Sequence, residues 1–253
     1  ASWVQRKSNI VDYLVTYVRL VDYGSQQEKE RAFLAKNDLH FAQKENFSKI
    51  PGIPIAYWVS EKMTCLFDND LISNVGETRE GITTANNELF LRLWHEVLHN
   101  LIEFKCNSQQ QSQESDKKWF LHHKGGEYKK WYGNMEYVIN WENGGEKIRK
   151  YSDNITGRIR SHNYNLEYNF HEYATWSRIS SEKMGMRYSP PGFVFDTASA
   201  ALFLPQNLLF YGIGFICSVV AKPLLMLLNP TTKFQPGDVA NLPFIIRLEL
   251  LDN

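Results

Sequence analysis

From about Val75 onward, glycine, threonine, asparagine and aromatic residues dominate, and apolar residues come in short alternating runs such as Tyr137-Val138-Ile139 and Gly192-Phe193-Val194-Phe195-Asp196. Alternation of period two marks strands, and runs this short demand frequent turns. That half of the chain is therefore expected to be β-rich. Within it, residues 118–145 interleave tryptophan, tyrosine, glycine and lysine (Lys118-Trp119, Lys129-Lys130-Trp131-Tyr132-Gly133, Trp141-Glu142-Asn143-Gly144-Gly145). Flat rings, flexible backbone and positive charge together suit a surface that meets a polyanion with stackable bases. The same composition also suits a β-platform with half-buried aromatics, and composition alone leaves both readings open.

The first 74 residues read differently. Residues 17–21 alternate as a strand, residues 28–36 are charged, free of glycine and helix-prone, and Ile50-Pro51-Gly52-Ile53-Pro54 is a turn-rich break. Residues 56–67 carry apolar residues at helical spacing (Ala56, Val59, Met63, Leu66, Phe67). The expected fold class is α+β. A connecting segment of strand and helices spans 1–74, and a β-rich domain spans 75–253 and ends in a hydrophobic strand and helix. The polar tract 109–116 reads as a mobile loop. No internal repeat is visible.

The apolar run 208–221, resuming at 224–228, falls short of the about 20 uninterrupted apolar residues a membrane span needs. Gly212 and Gly214 interrupt it and Lys222-Pro223 break it, so a buried strand and helix is the expectation, with no membrane partner. Zero formal net charge over 253 residues excludes a uniformly basic nucleic-acid coat. Charge is uneven, however: residues 117–160 hold ten Lys/Arg against five Asp/Glu, a local excess of +5, and such an excess steers phosphate to one face. Three scattered cysteines with no C-x-x-C pair argue for a reducing compartment rather than a disulfide framework. No secretory leader is visible, the first residue is not methionine, and the end is abrupt, so the expectation is a piece of a longer protein.

Short motifs need weighing. His95-Glu96-Val97-Leu98-His99 matches H-E-x-x-H, which on a helix puts two imidazoles on one face for zinc with the glutamate as general base. The third ligand of the longer zincin pattern is missing, so no metal site is expected, and a zinc hydrolase is the least favoured function. Ser189-Pro190-Pro191-Gly192-Phe193 and Phe210-Tyr211-Gly212-Ile213-Gly214 echo two amino-methyltransferase motifs. Gly192 displaces the aromatic of the first, and the two lie too close together to enclose a catalytic domain. Turn and core are expected for them.

Longer strings carry more. T-Y-V-R-L-V-D (16–22), K-I-P-G-I-P-I-A-Y-W-V-S (49–60), G-I-T-T-A-N-N-E-L-F-L-R-L-W (81–94), E-Y-V-I-N-W-E-N (136–143), T-W-S-R-I-S-S (175–181), G-F-V-F-D (192–196), L-N-P-T (228–231) and F-Q-P-G-D-V-A-N-L-P (234–243) occur in this order. Together they resemble the adenine-specific DNA methyltransferases of BREX phage-defence systems (PglX-like), over nearly the whole chain. Ala85 departs from the glycine usual in that family's T-G-x-N turn, and the 109–116 tract is idiosyncratic.

The resemblance implies a target-recognition region without the catalytic domain, which in the family precedes it, and without the helical part that follows. It therefore implies double-stranded DNA as partner, alongside the missing methyltransferase domain and other defence-system subunits, in a prokaryotic cytoplasm. S-adenosylmethionine belongs to the catalytic domain of the parent family, and no catalytic or cofactor-binding residue is expected in this segment. Recognition needs phosphate contacts for register and base-edge contacts for sequence. Lys124, Lys129, Lys130, Arg158 and Arg160 are the phosphate candidates, with Thr83 and Thr84. Asn86, Asn87, Arg178 and Lys183 are the base-edge candidates, since Asn matches adenine and Arg matches guanine. For each cation the plain alternative is a solvated surface charge. A protein-interaction module of a multi-subunit complex is the alternative function. In the 118–145 segment the resemblance makes the tryptophans frame, the lysines contacts and the glycines turns.

Overall fold

The structure, a computed structural model, describes residues 13–180 and 183–246. Ser181, the last residue of the 175–181 string, and both chain ends lie outside the described residues. The chain divides into two compact units after Asn69.

In the first unit, β1 (Val15–Val18) pairs antiparallel with β2 (Leu39–Ala42) across α1 (Gln26–Leu34). The helix begins where Ser25 and Glu28 form a reciprocal capping box. The apolar spacing of 56–67 does not yield one helix. Tyr57 and Trp58 form a turn. Helix α2 (Glu61–Thr64) starts only where the Ser60 hydroxyl accepts from Met63 N–H, and it tightens at once into a 3-10 turn, Cys65–Asp68. Ala32, Ala42, Phe47, Ile50, Ala56 and Phe67 are its buried apolar residues.

The second unit is mixed α+β and opens with α3 (Ile72–Val75) and β3 (Glu77–Arg79). Residues 70–75 belong here because Ile72 N–H donates to Leu242 O (2.9 Å) and Phe244 N–H to Asp70 O (2.7 Å). Next come α4 (Asn87–Phe90), β4 (Leu91–Leu93), β5 (Ile102–Glu103), α5 (Gln109–Glu114), β6 (Trp119–His123), β7 (Tyr137–Asn140) and α6 (Glu142–Arg149). The remaining elements are β8 (Tyr173–Ser177), β9 (Met186–Ser189), β10 (Phe193–Phe195), β11 (Ser199–Phe203), α7 (Gln206–Ile216), α8 (Ala221–Leu228) and α9 (Pro236–Ala240).

Two sheets result. One has the order β10-β6-β7-β4, with β5 running parallel to the first residues of β6 and β10 parallel to its last three. The other, β3-β11-β8-β9, is antiparallel throughout. Side chains alternate across the first sheet as a pleat requires. Phe120 and Val194 face a core with Phe90, Ile139, Trp141, Ile148 and Phe170, while Phe193 and Phe195 face Tyr173 and Ala201 of the second sheet. Strands β6 and β10 are thus buried on both faces, which explains why polar residues do not alternate along them.

Two further expectations need correction. The 109–116 tract is not a mobile loop: it is α5, capped by Ser108 and with Ser112 fully buried. Its glutamine amides satisfy neighbouring polar groups, Gln109 donating to Gly144 O (2.8 Å) and accepting from Trp141 Nε1 (3.4 Å). The C-terminal apolar run holds no strand. Leu208, Leu209, Gly212, Ile213 and Ile216 are buried at helical spacing in α7, and Ala221, Leu224, Leu225 and Leu227 in α8, a run too long for one strand. No single helix among the described residues is long and apolar enough to cross a membrane, and α7 and α8 meet at a break bent by 82°.

Candidate functional site

The 118–145 segment splits into frame and surface. Trp141 is fully buried and Trp119 nearly so, whereas Trp131 is exposed. Between β7 and the body of α6 the backbone turns left-handed at three successive residues, Asn143 (φ 53°), Gly144 (67°) and Gly145 (79°). A Cβ on Gly145 would lie 2.8 Å from the Trp141 ring, so glycine lets the turn close over that tryptophan.

On the outer side of this frame lies a groove of about 800 Å³ lined by Leu89, Phe90, Arg92, Lys118, Trp119, Asn140, Glu146, Lys147, Lys150, Tyr151, Ser152 and Asn154. Four cations and one carboxylate face it. The Lys118 ammonium stands 5.4 Å and the Arg92 guanidinium 5.9 Å from the Trp119 ring centroid, within cation–π range. Tyr151 packs edge-on against Phe90 at 5.3 Å. Lys147 pairs with Glu142 at 2.6 Å and Lys150 with Glu146. Those hydrogen bonds hold both carboxyls below their usual range. All four side chains are solvent-exposed enough that a phosphate can compete for the lysines at small cost. Arg92 and Lys118 have no carboxylate within salt-bridge distance among the described residues.

At one rim Asn86 donates to the Tyr151 hydroxyl (3.2 Å), and its own Oδ1 caps α4 through Leu89 N–H. Asn87 is exposed but its Oδ1 accepts from Thr84. Beside the groove residues 151–160 form a hairpin carrying exposed Arg158 and Arg160, the latter 3.9 Å from Asp153. Thr83 bridges His162, each backbone N–H donating to the other's carbonyl (2.7 and 3.1 Å), and so ties the 83–87 loop to that hairpin.

A second convergence surrounds the turn at 196–199. Thr197 N–H donates to Ile82 O, Asp196 N–H to His123 O, and Arg178 N–H to Ala198 O, and the Thr83 and Thr197 hydroxyls lie 3.3 Å apart. Thr83, Lys124 and Arg178 therefore gather there. Burial lowers the Lys124 ammonium pKa, with Asp196 opposing. Arg178 is occupied: it pairs with Glu80 at 3.0 Å and donates to Thr197 O and Gln235, so its guanidinium clasps this fold rather than a base. Thr84 is buried, its hydroxyl spent on Asn87, and does not offer itself to phosphate. Lys129 pairs with Glu136 (3.1 Å) and Lys130 donates to Cys217 O (2.9 Å) beside β9 and α7, and neither lines the groove. Lys183 is exposed, its carbonyl accepting from Ser180.

Sequence reasoning passed over Arg92, Lys118, Lys147, Lys150 and Tyr151. The local charge excess already contained the three lysines, but a count of charge along the chain does not tell which cations share a face.

The H-E-x-x-H residues are not on an α-helix. Two 3-10 turns, Trp94–Glu96 and His99–Leu101, flank extended Val97 and Leu98. The His95 ring lies against Trp94 and the His99 ring against Phe104, so the shared helical face that zinc binding requires does not form. Gly192 (φ 107°) turns β9 into β10. Phe210 and Gly214 lie inside α7, so the motif they resemble is not a strand-to-helix loop for a nucleotide cofactor.

No family model matches the chain. Two curated relatives align along it. Adenine-specific methyltransferase PglX of Lacticaseibacillus casei (strain Zhang) is 44% identical over 251 residues, covering 96% of this chain and 21% of that protein. Adenine-specific methyltransferase BrxX of Escherichia coli O9:H4 (strain HS) is 33% identical over 258 residues, covering 99% of this chain and 20% of that protein. The chain thus spans about a fifth of each relative's length, and over nearly all of its own it is homologous to the PglX-like adenine-specific methyltransferases.

Proposed function

We propose that this segment is the duplex-DNA recognition module of an N6-adenine methyltransferase of phage defence. The unit from Asp70 onward would form the specificity domain, which moves the boundary expected at 74/75 back to 69/70, and the preceding unit the connection to its neighbours. Both relatives are named adenine-specific methyltransferases, and the observation that carries the reading is the basic, aromatic-floored groove. Arg92, Lys118, Lys147 and Lys150 stand around Trp119 and Tyr151, the pairing of charge and rings that holds a nucleic-acid backbone. In this reading Arg158 and Arg160 extend the phosphate track along the hairpin, and Asn86 and Asn87 sit at the rim for base edges. Thr83 and Lys124 hold the adjoining turn, and Lys183 remains a peripheral contact. Methyl transfer and S-adenosylmethionine would belong to another domain of the longer prokaryotic, cytoplasmic protein, so the segment alone would be non-catalytic.

The test is binding of the purified 253-residue chain to plasmid-derived duplex. Lys118→Glu with Lys150→Glu should abolish binding, and a doubly substituted chain that binds as well as the parent would refute the groove. Methylation of DNA by the chain alone would refute the non-catalytic assignment. A protein-docking role is favoured by a different surface, the α7–α8 elbow, where Phe210, Val219 and Met226 are more than half exposed. Phe210→Ser with Met226→Ser should leave DNA binding intact and weaken any such docking.

A further inference from the structure

The 151–160 hairpin ends in Ile155, which is 95% exposed, the most exposed large apolar side chain among the described residues. A lone exposed isoleucine is ordinary on a protein surface, but this one is presented by an unusually well-braced turn. Asp153 Oδ1 accepts from Ile155 N–H (3.0 Å), Thr156 N–H (2.9 Å) and the Thr156 hydroxyl (3.1 Å). Gly157, left-handed at φ 67°, donates to Asp153 O (2.9 Å), and Asp153 N–H donates to Arg158 O (2.8 Å). Below the tip, Ser152 bridges Ile159, Arg160 N–H donates to Tyr151 O (2.9 Å), and the Ser161 hydroxyl anchors to Ile148 O (2.5 Å). These bonds brace the turn, hold the Ile155 N–H on Asp153, and leave the Ile155 side chain free.

The surroundings of the tip are strongly basic. Residues 147–160 carry Lys147, Arg149, Lys150, Arg158 and Arg160 against one acid, Asp153, whose carboxylate is the brace itself. The hairpin is also continuous with the groove, since Tyr151, Ser152 and Asn154 line it. A rigid finger with an apolar tip and cationic flanks, rising from a basic groove, matches how proteins unstack a duplex. The cations hold the phosphates on either side, and a branched aliphatic side chain enters between two base pairs. Enzymes that modify a base must take it out of the stack, and opening a step lowers that cost.

We propose that Ile155 is a wedge inserted between base pairs of the bound duplex, helping the longer enzyme open the helix near its target. This rests on the DNA-binding reading above. Because the recognised sequence is unknown, the test uses closed-circular plasmid, which offers mixed sequence. The plasmid is relaxed by a type I topoisomerase in the presence of saturating chain, and binding is followed on the same plasmid by gel shift.

Insertion untwists the step it enters, so the wild-type chain should shift the topoisomer distribution. Ile155→Ala should bind the plasmid as well but leave the distribution unshifted, and Ile155→Phe, which keeps an apolar tip, should restore the shift. Since the side chain contacts nothing that holds the fold, circular dichroism should show both variants folded. A wild-type chain that binds without shifting the topoisomers would overturn the wedge and leave DNA recognition standing. A shift that survives Ile155→Ala would do the same. Failure of the wild-type chain to bind plasmid at low salt would overturn both.

Discussion

Salt dependence offers the sharpest measure of the groove, because its cations can be counted. Binding that neutralises Z phosphates weakens with a slope of log K on log[salt] of about −0.9Z for duplex DNA. Arg92, Lys118, Lys147 and Lys150 line the groove, and Arg158 and Arg160 flank it on the hairpin. Three of the six, Lys147, Lys150 and Arg160, already have a carboxylate within 4 Å. Binding by these trades one anion for another and releases fewer counterions. Z therefore lies between about 3 and 6, and the slope between about −3 and −5. From 50 to 200 mM salt the affinity should fall between about 40-fold and about 2,000-fold. Lys118→Ala, which removes an unpaired cation, should make the slope shallower by about 0.9. Lys129→Ala should leave it unchanged, because that ammonium pairs with Glu136 outside the groove. Fluorescence anisotropy with a labelled duplex across the salt range gives all three slopes. A wild-type slope shallower than about −1, or equal slopes for the two lysine variants, would refute the assignment of the groove.

Three further outcomes test the frame behind the site. Trp141→Ala, at a fully buried side chain, should cost about 3–5 kcal/mol in urea unfolding. Gly145→Ala should cost at least about 1–2 kcal/mol because of its left-handed backbone, and more if the Trp141 ring cannot yield, which a comparison with Gly157→Ala (φ 67°, no atom within 4 Å of the added Cβ) isolates. Burial above all, with Arg187 and His122 nearby, pushes the His123 pKa down to about 3. The unfolded state then binds more protons between pH about 6.5 and about 3, so this contribution is full above pH 6.5 and is lost as pH falls through that window. His123→Phe should flatten the acid-side loss of the urea midpoint between pH 7 and pH 4.5, and an unchanged loss would show that another group carries it.

Much of the architecture was legible where local chemistry and tertiary context agree. The strands at Tyr137-Val138-Ile139 and Phe193-Val194-Phe195 stand out as short apolar runs, and the second is apolar throughout because one face meets the Phe120 core and the other Tyr173 and Ala201. Helix α1 is legible as a charged, glycine-free run, and the structure adds a Ser25–Glu28 capping box that needs no partner elsewhere. The failures share a cause. The 109–116 tract has a disordered composition, yet Gln109 pairs with the Gly144 carbonyl and the Trp141 indole, and no local pattern records such a partner. The run 208–228 is apolar enough for strand or helix, and its length and burial spacing decide for helix. Residues 56–67 have helical spacing, but Ser60 caps a helix at Glu61 and the preceding turn takes the first apolar residues out of it.

The candidate site divides along the same line. The mixture of lysine, glycine and aromatic residues in the 118–145 segment singles out Lys124, Lys129 and Lys130 as candidates, because sequence neighbours show composition. They do not reveal a cation's ion-pair partner, and partners decide which cations are free. Arg178 is spent on Glu80, Thr197 and Gln235, and Lys129 lies outside the groove, while Lys118, unremarkable between Lys117 and a buried Trp119, faces the groove with no carboxylate within salt-bridge distance among the described residues. Strand β6 produces this arrangement. Its pleat turns Phe120 and His122 to one face and Trp119, Leu121 and His123 to the other, and Lys118 directly precedes it, its backbone bonded to Leu101 on one side and Trp141 on the other. Arg92 and Lys118 both approach the Trp119 ring, because β4 and β6 are both hydrogen-bonded to β7. The charge of the groove is thus set by sheet order, and a change that shifted the register of β7 against either neighbour would separate Arg92 from Lys118 without altering either residue.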